Sequence, residues 1–247
     1  MPQITLELVT KSYGADTALD GVTLSFEDNV TTAVVGRSGG GKSTLLQTIN
    51  GLVRPDSGCV RVFGDPVDYG SLAPLRRRIG YAVQGTGLFP HMTVYDNVTL
   101  LARLEGWPPA RTRARCGELM DLVELPPEFA ERYPHELSGG QQQRVGLCRA
   151  MMMDPPVFLL DEPFGALDPI TRSEIHVEFE RLQRAAARTI VLVTHDIREA
   201  VKLAGRVVIL HEGRVLQHGP TQELLDHPAD DIVGDLLASQ LDGGAAQ

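Results

Sequence analysis

The sequence predicts an α/β fold: a mostly parallel sheet at the core, an antiparallel β subdomain at the N-terminus, and an α-helical subdomain inserted between core strands. Three observations carry this. A short β-rich run, Thr31–Val35, meets a glycine-rich loop and then a helix through Leu45–Ile49. The runs Val157–Leu160 and Thr189–Thr194 are almost continuously apolar or β-branched, the mark of parallel strands covered on both faces. From about 93 to 153 the apolar spacing is helical, with no convincing strand until Val157.

In chain order, residues 3–9 and 22–26 alternate as strands, joined around Lys11-Ser12-Tyr13-Gly14. This N-terminus lacks the basic and apolar regions of a signal peptide. No window approaches the 18 or so apolar residues that a membrane span needs, so any pore must belong to another chain. After the first helix, Arg54–Gly58 is a turn and Cys59–Phe63 a strand. The run Arg76-Arg77-Arg78 reads as a solvated helix face. Strand Ile79–Val83 ends at Gln84, which opens the loop 85–90. Thr93-Val94-Tyr95-Asp96 has the pattern of a capping box and starts a helix with Val94, Val98, Leu101 and Leu104 on one face. Cys116, Leu119, Met120 and Val123 mark the buried stripe of the next, near 110–124.

Gly36-Arg37-Ser38-Gly39-Gly40-Gly41-Lys42-Ser43-Thr44 fits G-x-x-x-x-G-K-[ST], and its strand–loop–helix context is the one a phosphate-binding loop requires. The glycines let successive main-chain N–H groups converge on phosphate oxygens. The following helix points its positive end at the same anion. Lys42 supplies a mobile positive charge for β- and γ-phosphates, the Ser43 hydroxyl is a ligand for Mg²⁺, and Thr44 adds a hydroxyl to the phosphate shell. The chain is therefore expected to bind a nucleoside triphosphate.

Two later stretches extend that chemistry. Leu137-Ser138-Gly139-Gly140-Gln141 opens the helical run 142–153 with small residues, forming a second anion site from bare N–H groups, the helix dipole and the Ser138 hydroxyl. The strand through Leu160 ends in Asp161 and Glu162, at the carboxyl edge where ligands of parallel sheets bind. Asp161 is placed to hold Mg²⁺ through its water shell, and Glu162 to polarise an attacking water. Asp168 caps a helix whose first residue is Pro169. His195, just past the strand 189–194, is positioned to donate to a γ-phosphate.

The net charge of -9 argues against a nucleic-acid surface. Three cysteines without C-x-x-C spacing suit a reducing compartment and no zinc site.

Taken in order, Tyr13, 36–44, Gln84, Leu137–Gln141, 157–162, Asp168 and His195 resemble the motif set of the nucleotide-binding subunit of an ATP-binding-cassette transporter. The resemblance covers about residues 3–238, with the helical subdomain at 93–153 and a C-terminal tail at 239–247. It implies a P-loop NTPase core and a head-to-tail dimer that sandwiches two ATP molecules. In that dimer Ser138, Gly139, Gly140 and Gln141 of one subunit meet the γ-phosphate held by Lys42 of the other. The resemblance further implies that Tyr13 stacks on adenine, Glu162 is the general base, His195 contacts the γ-phosphate, and Ser43 and Gln84 bind Mg²⁺. The loop 84–90 and the helical subdomain would pass movement to membrane permease subunits, with the protein peripheral on the cytoplasmic face of the membrane. A solute-binding protein would be an indirect partner.

A narrower set, Ile79–Gln84, Gly87–Thr93, Leu104–Pro108, Asp168–Arg172 and Pro228–Asp231, resembles the ATPases of osmoprotectant importers, which move quaternary amines such as glycine betaine, choline and carnitine. Many of that group continue into a paired regulatory module, which is not expected in a sequence ending at Gln247. Three other readings use the same loop. One is an importer of another small solute such as an amino acid; another is a soluble cassette ATPase of DNA repair or translation; the last is a GTPase or kinase. The charge and single cassette disfavour the second, and the missing Asn-Lys-x-Asp guanine reader disfavours the last.

Overall fold

The computed structural model describes residues 3–85, 87–165, 167–185 and 188–241. The chain forms two compact units, Met1–Arg76 with Arg188–Gln247, and Arg77–Ala187. The first unit opens with β1 (Ile4–Tyr13), β2 (Asp16–Phe26), β3 (Thr31–Val35), α1 (Lys42–Ile49), β4 (Ser57–Val62), the two-residue β5 (Asp65–Pro66) and the single turn α2 (Ala73–Arg76). The second unit holds β6 (Ile79–Ala82), α3 (Val94–Leu104), α4 (Pro109–Leu122), α5 (Gly139–Met151), β7 (Val157–Asp161) and α6 (Pro169–Ala185). The first then resumes with β8 (Thr189–Thr194), α7 (Ile197–Leu203), β9 (Arg206–His211), β10 (Arg214–Pro220), α8 (Thr221–Asp226) and α9 (Asp231–Leu241).

In the first unit β1 lies antiparallel between β2 and β4, with Ile4 level with Phe26 on one side and Val62 on the other. The ladder runs beyond the residues that alternate. β1 continues to Tyr13 through shifts in register after Leu6, Val9 and Lys11. Its polar end is held instead by Asp56, which takes the Ser12 N–H at 2.8 Å and the Lys11 ammonium at 2.8 Å. The Lys11 hydrogen bond and the Ser12 N–H keep the Asp56 carboxyl below the usual carboxylate range.

β3 runs parallel between β8 and β9, and β10 closes the edge antiparallel to β9. Every residue of β8 is buried, as a strand covered on both faces demands. Ala33, Val35, Val207 and Ile209 pack on Ile197 and Ala200 of α7, Leu224 of α8, and Val233 and Leu237 of α9. The last helix reaches Leu241, so residues 239–241 are helical, and 242–247 lie outside the described residues. Arg76, the last residue of α2, is exposed as the solvated reading expects, but it also makes contacts of its own. Its guanidinium donates to the Asn50 and Gly51 carbonyls at 3.2 and 3.1 Å, capping the C-terminal end of α1.

In the second unit β6 and β7 pair in parallel, Ile79 with Val157 through Ala82 with Leu160. Val94, Val98 and Ala102 form the buried stripe of α3. Leu104 does not extend it. As the last residue of the helix it is 73% exposed. Thr93 caps α3 by accepting the Asp96 N–H. Cys116, Leu119, Met120 and Val123 are buried as their spacing predicts. Cys148 of α5 donates its thiol to the Leu119 carbonyl at 3.3 Å. Burial raises the Cys116 thiol to about 11 and the Cys148 thiol further still.

Leu159 in β7 is fully buried, so Leu159→Ala is expected to lower stability by about 2–5 kcal/mol. Leu104→Ala, at an exposed helix end, should stay within about 0.5 kcal/mol. Urea denaturation of the two variants checks the contrast.

Candidate functional site

β3 delivers the chain into the phosphate loop, and the loop is braced from behind by the hairpin of β9 and β10. At Gly36 a Cβ would lie 2.0 Å from the Leu210 carbonyl oxygen, so the backbones touch only because no side chain intervenes. Gly41 stands at φ +94° with the Ala18 carbonyl 2.1 Å from where its Cβ would be. The hairpin tip, Gly213, donates to the Gly40 carbonyl at 3.3 Å and accepts from Asp20 N at 2.9 Å. Lys42 is 6% exposed, and its ammonium donates to the Gly36 and Arg37 carbonyls at 2.8 and 2.9 Å. Arg37, Ser38 and Gly39 form the exposed rim of the loop, while Ser43 and Thr44 are half-buried in the first turn of α1.

Strand register brings His195 to this loop. Val35 is level with Thr194 across the β3–β8 ladder, so Gly36 and His195 leave adjacent parallel strands at the same edge. His195 is exposed, and Asp196 after it caps α7 by accepting the Arg198 N–H at 2.9 Å. Tyr13 ends β1 and is 50% exposed, with the Lys11 ammonium 5.5 Å from its ring centroid.

The second unit gathers a carboxylate group of its own. Asp161 ends β7 at 2% exposure. Glu162 follows at φ +47°, a left-handed conformation that strains a residue bearing a side chain. Gln143, buried on α5, holds that conformation by donating its amide to the Glu162 carbonyl at 2.7 Å. Because Ala82 pairs with Leu160, Gln84 and Glu162 emerge at the same level. The Gln84 amide donates to Glu162 Oε2 at 3.2 Å.

Ser138 is the N-cap of α5 in a reciprocal box, its Oγ accepting the Gln141 N–H at 3.3 Å and its N–H donating to Gln141 Oε1 at 3.0 Å. Ser138 and Gly139 are exposed, and a Cβ at Gly139 would meet nothing within 4 Å. The helix begins at Gly139, three residues before the sequence pattern places it, because the box turns Gly139–Gln141 into its first turn. Asp168 caps α6 by accepting the Thr171 N–H at 3.1 Å, and hydrogen bonds from Thr171 hold its carboxyl below the usual range. Gln143 and Arg149 of α5 were not singled out by sequence. A glutamine within the otherwise apolar stripe of Val145, Leu147 and Cys148 was the available signal for the first.

Among the described residues no helix is long and apolar enough to cross a membrane.

The family model for the ABC transporter matches residues 19–165. The chain is 45% identical over 238 residues to the choline transport ATP-binding protein OpuBA of Bacillus subtilis, an alignment covering 96% of this chain and 62% of that protein. It is 48% identical over 225 residues to the glycine betaine uptake system ATP-binding protein YehX of Escherichia coli, covering 91% and 73%. The dimeric structure of the ATP-binding cassette MJ0796 bound to ADP and Pi matches with a TM-score of 0.84 at 34% identity, over 88% of this chain and 98% of that one. The chain thus spans less than two thirds of the length of OpuBA.

Gly36→Ala is expected to destabilise the protein by about 1–3 kcal/mol through the clash with Leu210. Gly39→Ala meets no neighbour but sits at φ +79°, and should cost about 1 kcal/mol. Denaturant midpoints of the two variants separate close packing from backbone strain.

Proposed function

Since this chain belongs to the ABC transporter family, we propose that it hydrolyses ATP as the energy-coupling subunit of an importer. The observation that carries hydrolysis, beyond binding, is Glu162, a carboxylate at the end of a buried strand with the Gln84 amide on its Oε2. In this reading Lys42 and the main-chain N–H groups of 36–44 hold the phosphates, and Tyr13 stacks on the adenine. Asp168 is the remaining member of the nucleotide-binding set. Glu162 accepts a proton from a water, whose oxygen forms a bond to the γ-phosphorus as the bond to the β-phosphate bridging oxygen breaks. His195 donates a hydrogen bond to the γ-phosphate.

Ser43, Gln84 and Asp161 offer a hydroxyl, an amide oxygen and a carboxylate. These hard oxygen donors fit Mg²⁺, which keeps part of its water shell and takes phosphate oxygens. Bound there, the ion would neutralise charge on the phosphates. The two-subunit reading is that Ser138, Gly139, Gly140 and Gln141 of a second copy meet the γ-phosphate, the helix N-terminus adding donors where negative charge develops.

Permease subunits in the membrane would then be the partners, with this chain peripheral on the cytoplasmic face and a solute-binding protein as an indirect partner. A quaternary amine is the cargo, as the names of OpuBA and YehX suggest. The test is ATPase activity in proteoliposomes holding the chain with its permease and solute-binding protein. Stimulation by glycine betaine or choline supports this cargo; stimulation by an amino acid alone overturns it.

Glu162→Gln should leave ATP binding intact, lower turnover by about 100-fold or more, and yield a stable ATP-bound dimer on gel filtration. Wild-type turnover would remove Glu162 as the base. Ser138→Arg should abolish hydrolysis while nucleotide binding to the single subunit persists, and surviving turnover would exclude the shared site.

A further inference from the structure

We propose that Arg149 is a positioning residue for Gln84, pinning the loop after β6 to the helix that carries Ser138. The inference rests on the ATPase reading above for its kinetic consequence, and on geometry alone for the pin.

Arg149 lies on α5 eleven residues beyond Ser138, three turns down the same helix. Its guanidinium donates to the Gly87 carbonyl at 2.9 Å and lies 5.9 Å from the centroid of the Phe89 ring. Both contacts are to one loop. Among the described residues no carboxylate pairs with Arg149, and burial draws its pKa below the ordinary value. A half-buried cation without an anion is costly, so a side chain kept merely to fill space would be better apolar.

The loop is fastened at three points. Gln84 holds Glu162 Oε2 at its start, Arg149 holds Gly87 in the middle, and Asn97 closes the end by accepting the Phe89 N–H at 2.8 Å and donating to the Phe89 carbonyl at 3.1 Å. The other side of Glu162 is tied to α5 through Gln143. The contacts therefore close a ring: α5, Arg149, Gly87, Gln84, Glu162, Gln143 and α5 again. The middle fastening depends on a single side chain. Gly87 stands at φ +49°, where a Cβ would meet Val83 Cγ2 at 2.4 Å, so the loop has no side chain of its own there to brace it.

The experiment uses the full chain with Arg149→Met, which keeps the apolar stem and removes the donor, and Arg149→Lys, which keeps one donor and the charge. Amide hydrogen exchange at residues 84–89 should rise in Arg149→Met and fall back toward wild type in Arg149→Lys. Exchange unchanged at 84–89, or raised equally across the whole helical region, overturns the pin. In ATPase assays Arg149→Met should lower kcat about tenfold and raise the Mg²⁺ concentration for half-maximal rate, with the KM for ATP within about twofold. Added to Gln84→Ala it should cost nothing further, since both remove one function. An equal loss in both backgrounds means that Arg149 does not act through Gln84. If the wild-type chain turns over no ATP, the functional reading fails, and the exchange result still decides the pin.

Discussion

Main-chain N–H groups can surround a polyanion only where the backbone is bare, and the first unit is shaped by that requirement. β9 passes close enough to Gly36 that a methyl would overlap the Leu210 carbonyl, and the β9–β10 turn is hydrogen-bonded to Gly40. The Ala18 carbonyl closes on Gly41 in the same way. The loop is thus held by contact on its far side and exposed at Arg37–Gly39. Lys42 ties the same loop, its ammonium donating to the Gly36 and Arg37 carbonyls.

The second unit solves a different problem: keeping a carboxylate in an unfavourable backbone conformation. Glu162 needs external support at φ +47°, and the Gln143 amide gives it by donating to the Glu162 carbonyl. Gln143 fixes the main chain of Glu162 and Gln84 meets its carboxylate, each through a side-chain amide. Arg144, next to Gln143, extends the hold of α5 by capping the end of α4 through the Val123 and Glu124 carbonyls and reaching the Thr171 hydroxyl of α6. One helix therefore positions an exposed serine, a strained glutamate and two neighbouring helices.

How much of this could be read from sequence depended on whether the partner was local. The phosphate loop was legible because its requirement is the absence of side chains, which glycine states outright. The capping residues Thr93 and Asp168 were legible because donor and acceptor lie three positions apart. The strand ends carrying Gln84, Glu162 and His195 were visible as apolar runs stopping at polar residues. Their neighbours across the sheet were not, since strand register joins distant segments. The polar end of β1 escaped notice because Asp56, 45 positions on from Lys11, holds it. Arg76 hid its capping role for the same reason, and Gln143 and Arg149 because their acceptors are main-chain carbonyls with no residue signature. Leu104 was assigned to a buried face that its helix does not extend far enough to provide.

The place of β3 in its sheet also bears on synthesis. Its two hydrogen-bonded neighbours, β8 and β9, both follow the whole second unit in the sequence, and Asn29, just before β3, bonds to Thr189, 160 positions later. At ~5–20 residues per second the ribosome needs on the order of ten seconds or more to make that interval. Through that time the nascent chain carries the complete glycine motif without either strand that flanks it. A polypeptide released before residue 213 lacks the turn that fastens Gly40, however well its earlier parts have folded.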